Sequence, residues 1–254
     1  MLTAIARAVS PAINKCELGF IERHPIDLAQ ASAQHRLYEE CLAKLGAAVT
    51  SLPAEADYPD SVFVEDPAVV VDEVAIMTRM GAESRRGESA SLARALERYR
   101  PLRWLREPAT LEGGDVMRIG RTLYVGRSHR TNREGIEQLS AELAPLGYTV
   151  VPVTVRGALH LKTAVCYLGD GAILANRQWL DLEPLSQYRA IDIAPGEDRA
   201  ANVLALGGKV IMPDCFPATA EILTAAGFKV RPLNVTELMK AESGVTCSSL
   251  IFES

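Results

Sequence analysis

Apolar positions along this chain change period repeatedly, and the changes mark out its elements. Residues 3–9 read as a strand, followed by a loop carrying Pro11, Asn14, Glu17 and Gly19. From Ile26 to Leu45 the residues Leu28, Ala31, Tyr38, Cys41, Leu42 and Leu45 recur at helical spacing until Gly46, and residues 47–52 form a second strand. A unit then repeats. Residues 68–71 and 74–78 flank Asp72-Glu73, and residues 116–119 and 122–125 flank Gly120-Arg121. Residues 165–168 and 172–175 flank a Gly169–Gly171 turn, and residues 203–206 and 209–212 flank Gly207-Gly208. Each hairpin precedes a helical stretch (89–99, 132–146, a weaker one at 180–188, and 218–226) and then another strand (102–105, 149–155, 190–193 and 228–233).

The turns at 72, 120, 170 and 207 lie 48, 50 and 37 residues apart, a period that signals repeated supersecondary units. Four units are complete in the middle of the chain. A fifth assembles if Leu250–Phe252 pairs with the strand around Ile5, which would close a ring and remove the exposed sheet edges. The pattern predicts one α/β domain over residues 1–254, built as five sheet-plus-helix blades around a pseudo-fivefold axis. A doubly wound sheet fits less well, because hairpins outnumber single strands between the helices.

Composition narrows the partners. Hydrophobic residues at 48% and charged residues at 23% are ordinary for a globular protein. A net charge of −5 argues against nucleic acid or an anionic membrane and suits a cationic small molecule. Five cysteines, an odd number with no C-x-x-C pair, read as reduced thiols in a cytoplasmic protein. The opening residues carry no signal-peptide pattern, and nowhere do 18 apolar residues follow one another.

Chemistry collects just ahead of each hairpin. Glu65-Asp66-Pro67, Glu112-Gly113-Gly114-Asp115, His160-Leu161-Lys162-Thr163 and Arg199-Ala200-Ala201-Asn202 precede the four central units, and Cys247 precedes the closing strand. In a ring of equivalent blades, equivalent positions converge on the axis, so a thiol, an imidazole and several carboxylates should share one central cavity. Cys247 lies among Gly244, Thr246, Ser248 and Ser249, where a thiol stays reachable, whereas Cys41, Cys166 and Cys215 lie in or beside apolar patterns and Cys16 lies in a loop. His160 alone of the four histidines occupies a repeat-equivalent position; His24 and His35 are expected at the surface, and His129 lies beside a turn. Taken singly, Cys247 would be a small buried hydrophobe and Glu112–Asp115 a plain turn. Their shared place in the repeat favours function.

The motifs Pro59–Pro67, Gly81–Arg86, Leu111–Asp115, Arg130–Asn132, Leu159–Thr163 and Thr246–Ser248, in that order, closely resemble the dimethylarginine dimethylaminohydrolases. These belong to the pentein, or guanidine-modifying, superfamily, whose five-bladed α/β propeller matches the repeat. The resemblance implies that Cys247 is the nucleophile, His160 the general acid/base, and Glu112 the carboxylate holding guanidinium and imidazole. Asp66, with Glu65 beside it, would partner the guanidinium nitrogens. Arg85 and Arg130 would clamp the substrate carboxylate, a role suited to bidentate geometry. Asp60 would receive the α-amino group, assisted by the backbone at Leu18 and Ala241, with Phe63 lining the channel. The implied reaction converts a methylated arginine to citrulline and methylamine or dimethylamine through a covalent thiouronium on Cys247. It needs no metal or organic cofactor, and it leaves room for a homodimer.

Two stretches depart from the family pattern: the loop at 14–20, and Ala241-Glu242-Ser243-Gly244, which replaces a bulkier apolar residue, Asp and Gly. Arginine deiminases are the nearest alternative and carry a His-x-Asp pattern, where this chain has Lys162. That lysine is expected to turn outward, because an ammonium would repel a guanidinium. Amidinotransferases share His-x-Asp and are usually longer. A non-catalytic pentein such as the ribosome anti-association factor would have no reason to combine Cys247, His160, Glu112 and Asp66.

Overall fold

The hairpins foreseen in the sequence form, and a parallel third strand extends each of them. The computed structural model describes all 254 residues. Strand β1 (Leu2–Arg7) runs parallel to β2 (Ala48–Leu52) across helix α1 (Leu28–Lys44). Hairpin β3 (Ala68–Val70)–β4 (Ala75–Met77) is joined through α2 (Ser89–Leu96) to β5 (Leu102–Trp104), and β6 (Val116–Ile119)–β7 (Thr122–Arg127) through α3 (Arg133–Leu143) to β8 (Thr149–Thr154). The one-turn α4 (Leu161–Ala164) leads into β9 (Val165–Gly169) and β10 (Ala172–Ala175), with β11 (Arg189–Asp192) alongside. Then β12 (Leu204–Leu206) and β13 (Lys209–Pro213) connect through α5 (Pro217–Ala225) to β14 (Val230–Leu233). After α6 (Thr236–Met239), β15 (Leu250–Glu253) returns antiparallel to β1 with Leu250 opposite Ile5.

The resulting five three-stranded sheets form a closed ring, as their shared cores show. Along β4, Met77 packs with Ile5 and Phe252 of the first sheet, while its neighbour Ile76 packs with Val125 of the third. Tyr124 on β7 then meets Ile173 on β10, Leu174 meets Met212 on β13, and Ile211 meets Ala4 on β1. Alternate residues of each middle strand therefore serve alternate neighbours, which explains why these strands are continuously apolar. Each fully buried aliphatic side chain contributes about 1.5–3 kcal/mol, so the ring is held at five such seams.

Two expectations fail locally. The stretch 180–188 is not a helix but a single 3₁₀ turn, Glu183–Leu185. Pro184 has no N–H for a longer helix, Asp181 accepts from Glu183 N, and Leu180 and Leu185 anchor the link in the core. His35 is not at the surface: it is only 3% exposed, because it shares with Tyr38 and Leu42 the face of α1 that meets the sheets, and its Nε2 lies 3.3 Å from Glu39.

Candidate active site

The segments ahead of β3, β6, β9 and β15 meet at one end of the ring axis. There Asp66, His160 and Cys247 line a narrow cavity together with Asp60, Phe63, Arg85, Arg130 and Ala241. Three sheets thus contribute these three side chains, and the repeat predicts that convergence.

Backbone and side-chain hydrogen bonds hold each group in place. Asp66 Oδ1 accepts from Gly114 N (3.0 Å) and Oδ2 from Arg85 (2.8 Å). His160 Nε2 lies 2.7 Å from Glu112 Oε2, and its Nδ1 lies 4.0 Å from Asp66 Oδ1. A side chain at position 114 would strike His160 and Asp66, so only glycine lets the two loops approach this closely. Asp115 supports the same arrangement from below: it accepts from Leu161 N, Ser128 and Thr131 and so pins the backbone next to His160. Cys247 Sγ accepts from Gly244 N at 3.4 Å, and its carbonyl receives Glu65 N at 3.2 Å.

Electrostatics set the protonation states. Burial pushes the Cys247 thiol up, and the charges of Glu65 and Asp66 push it further, to about 12. Burial works to lower His160, but Asp66, the Glu112 hydrogen bond and Asp115 outweigh it and raise the imidazole to about 9. Burial would raise Glu112, yet His160, Arg85 and Arg130 hold it at about 2. At neutral pH the site therefore pairs a protonated imidazole with an ionised Glu112 and a protonated thiol. Asp66, Glu112 and His160 bring potential metal donors within 4.8 Å of one another. The imidazole Nε2 faces Glu112 at 2.7 Å, and a cationic imidazole has no lone pair to give on a nitrogen.

Several sequence-based assignments need correction. Glu112 holds the imidazole but does not line the cavity: Oε1 takes Gly81 N, Ala82 N and Arg130, and Oε2 faces His160. Glu65 does not face the cavity beside Asp66. Consecutive side chains diverge, and Glu65 pairs at 2.6 Å with Lys162 on the far side of Cys247. Lys162 consequently points inward, not outward; the carboxylate of Glu65 supplies the counter-charge that makes burial tolerable. Arg85 lines the cavity yet is largely committed, bidentate to Glu88 as well as bonded to Asp66. The side chain of Leu18, whose backbone is the expected contact, packs on the Phe63 cluster rather than lining the cavity, and the preceding Glu17 N donates to Asp60 at 3.0 Å. Asp60, Phe63, Arg130 and Ala241 line the cavity.

Four further residues complete the site. Asp115 is the last residue of the Glu-Gly-Gly-Asp motif, and Asn202, at the fourth repeat position, bridges Thr246 and the carbonyl of Lys162. Glu88 sits behind Arg85. Glu242, in a left-handed conformation (φ 59°), accepts from Gly19 N and Phe20 N and ties the 17–20 loop across the cavity. Glu88 and Glu242 carry no periodic signal and could not be picked out of the sequence.

Residues 8–183 match the family model described as N,N dimethylarginine dimethylhydrolase, eukaryotic. The chain is 40% identical over 97% of its length, and 95% of the relative's, to an N(G),N(G)-dimethylarginine dimethylaminohydrolase of Streptomyces coelicolor. The dimethylarginine dimethylaminohydrolase of Pseudomonas aeruginosa, solved as a cysteine-to-serine mutant complexed with citrulline, superimposes with a TM-score of 0.94 at 35% identity, covering 99% of this chain and all of that one. The N-terminal domain of a cyanobacterial arginine dihydrolase shares the fold alone, with a TM-score of 0.85 at 21% identity and coverage of 99% and 98%. With its repeat, its ring and its cysteine–histidine cavity in agreement, this chain belongs to the dimethylarginine dimethylaminohydrolase family and has the pentein fold.

Proposed function

We propose that the protein, acting as a single unit over residues 1–254, hydrolyses Nω-methylated arginines to citrulline and the corresponding methylamine. The observation that carries this reading is the convergence of Cys247, His160 and Asp66 on one cavity from three sheets. A guanidinium is a delocalised cation and a poor electrophile, so it must be held by carboxylate, attacked by sulfur and relieved of an amine by an acid. Asp66 holds the guanidinium. The positive charge of the guanidinium offsets the carboxylates that keep the Cys247 thiol protonated, so on binding the thiol gives its proton to solvent and becomes the thiolate. Sulfur adds to the central carbon; His160 gives its proton to the departing dimethylamine; the C–N bond breaks and a thiouronium remains. His160, now neutral, takes a proton from water as its oxygen adds to the same carbon; the C–S bond then breaks, the sulfur takes the hydroxyl proton as it leaves, and citrulline and the resting thiol are released. These steps place no demand on a metal or organic cofactor.

Arg130 and Asp60 suit the carboxylate and α-amino ends of an amino acid, with Phe63 along the stem and the backbone of Ala241 and Leu18 at the rim. The cavity measures about 20 Å³, room for roughly one water. Substrate entry therefore requires the 17–20 loop to lift and Asp66 to exchange Arg85 for the guanidinium. We place the reaction in the cytoplasm, in keeping with five free cysteines and no helix long and apolar enough to cross a membrane. The test is citrulline formation from dimethylarginine, monomethylarginine and arginine, side by side. Methylated substrates should have the higher kcat/KM, since no second acid follows His160 to claim the leaving nitrogen. Equal or better efficiency on plain arginine would make the protein a deiminase.

A further inference from the structure

Beyond the catalytic cavity the ring axis opens into a second cavity of about 320 Å³. It lies on the axis because every sheet lends it a residue of its innermost strand: Val69, Met117, Cys166, Leu204 and Ile251. Glu65, Lys162 and Thr246 form its floor and stand directly behind Cys247. Lys162 Nζ lies 2.6 Å from Glu65 Oε1, and Glu65 Oε2 accepts from Thr246 Oγ1 at 2.9 Å. Thr246 Oγ1 is 4.0 Å from Cys247 Sγ and also accepts from Asn202 Nδ2 at 3.2 Å. Its single proton is thus committed to Glu65, which leaves a lone pair toward the sulfur and no donor for a thiolate.

This rear wall gives the thiol an environment that the catalytic cavity does not. Resting on the reading of Cys247 as the nucleophile, we propose that Glu65 and Lys162 are a positioning pair, coupled through Thr246, that fixes how readily Cys247 ionises. Glu65 is the charge that keeps the proton on sulfur, and Lys162 limits that effect to what an incoming cation can reverse. Both signs follow from Coulomb interaction between the pair and the sulfur, joined through Thr246. Neither residue lines the catalytic cavity.

Other charges also face the sulfur. Asp66, His160, Arg85 and Arg130 stand in the catalytic cavity; Glu242 lies on the cysteine's own segment, and Arg199 approaches from the segment ahead of β12. None of these groups is itself substituted in the rear-pair variants, so comparison with the parent protein reads the change made at the pair.

The experiment is the pH dependence of iodoacetamide alkylation at Cys247, followed by mass spectrometry of the cysteine-bearing peptide without substrate. Glu65→Gln should move the alkylation profile at least one pH unit down, a gain of about tenfold in rate at pH 7. The acid limb of kcat/KM should move in the same direction. Lys162→Gln should move both up, and it decides the matter by itself if Glu65→Gln fails to fold. Profiles that coincide with the parent protein in the folded variants would overturn the proposal. Alkylation needs no turnover, so this failure is separate from failure of the functional reading, which would appear as activity surviving Cys247→Ser.

Discussion

Gly114 stands at the closest approach of two loops, and a single methyl group there tests the geometry of the site. In Gly114→Ala the new Cβ would lie 2.6 Å from His160 Nδ1 and 2.8 Å from Asp66 Oδ1, where ordinary contact begins at 3.4 Å. His160 must therefore withdraw by about 0.8 Å and Asp66 by about 0.6 Å, the differences between contact and the built distances. His160 cannot retreat along its own axis, because Nε2 is tethered to Glu112 at 2.7 Å and the adjoining Leu161 N to Asp115 at 2.9 Å. The ring must swing away from the reacting carbon instead. Misplacement of a catalytic group by an ångström costs about 10²-fold in rate. The overpacking itself costs about 1–3 kcal/mol, and each kcal/mol lowers the melting midpoint by roughly 2–4 °C in a chain of this size. Gly120→Ala provides the contrast. Gly120 has φ 60° with nothing within 4 Å of a built Cβ, so the substitution costs about 1–2 kcal/mol of backbone strain and leaves kcat unchanged. Citrulline formation and thermal melts on both variants separate fold from catalysis. A Gly114→Ala enzyme with kcat within about twofold of the parent would refute the assignment of His160 and Asp66 to the reacting centre.

Cys247→Ser should abolish turnover with an unchanged melting midpoint, because a serine hydroxyl is too weak an acid for this carboxylate-rich site to ionise. Arg130→Ala should raise KM for dimethylarginine by about 10- to 10²-fold with kcat largely kept, as expected for a lost charge-assisted contact remote from the reacting carbon. Arg85→Ala should in addition destabilise the fold by about 3–5 kcal/mol, since it strands Asp66 and Glu88 as buried, unpaired carboxylates; equal melts for the two arginine variants would disprove this. Stability should fall at both ends of the pH scale. His160, raised from 6.5 to about 9, contributes fully below pH 6.5 and loses that contribution as pH rises through 9. Glu112, lowered from 4.5 to about 2, contributes fully above pH 4.5 and loses it as pH falls toward 2. Melting curves from pH 3 to 10 should show both arms, and Glu112→Gln should flatten them.

The blades and most of the site were legible in the sequence because repetition makes equivalent positions add. Four apolar runs interrupted by short turns gave every hairpin, and the residues ahead of them gave Asp66, Glu112, His160 and Cys247. Repeat position says where a loop goes but not which way one side chain points. Glu65 and Asp66 are neighbours in sequence and lie on opposite sides of Cys247, and Lys162 turned inward because of a partner 97 residues away. Glu242 stood in a stretch marked only as departing from the family pattern; its role stayed hidden because it depends on a left-handed backbone and two amides more than 220 residues distant. The 180–188 stretch misled by composition: its leucines mark burial, and Pro184 decides the backbone.

The ring has a consequence for how the protein folds. The contacts that make the site join residues far apart in sequence: 48 residues from His160 to Glu112, 181 from Thr246 to Glu65, and 223 from Glu242 to Gly19. Such contacts demand closure of long loops before they return any energy, which slows folding. No single blade contains Cys247, His160 and Asp66 together. Recovery of activity during refolding should therefore lag helix formation and coincide with closure of β15 onto β1, so that the enzyme reports on its own completed ring.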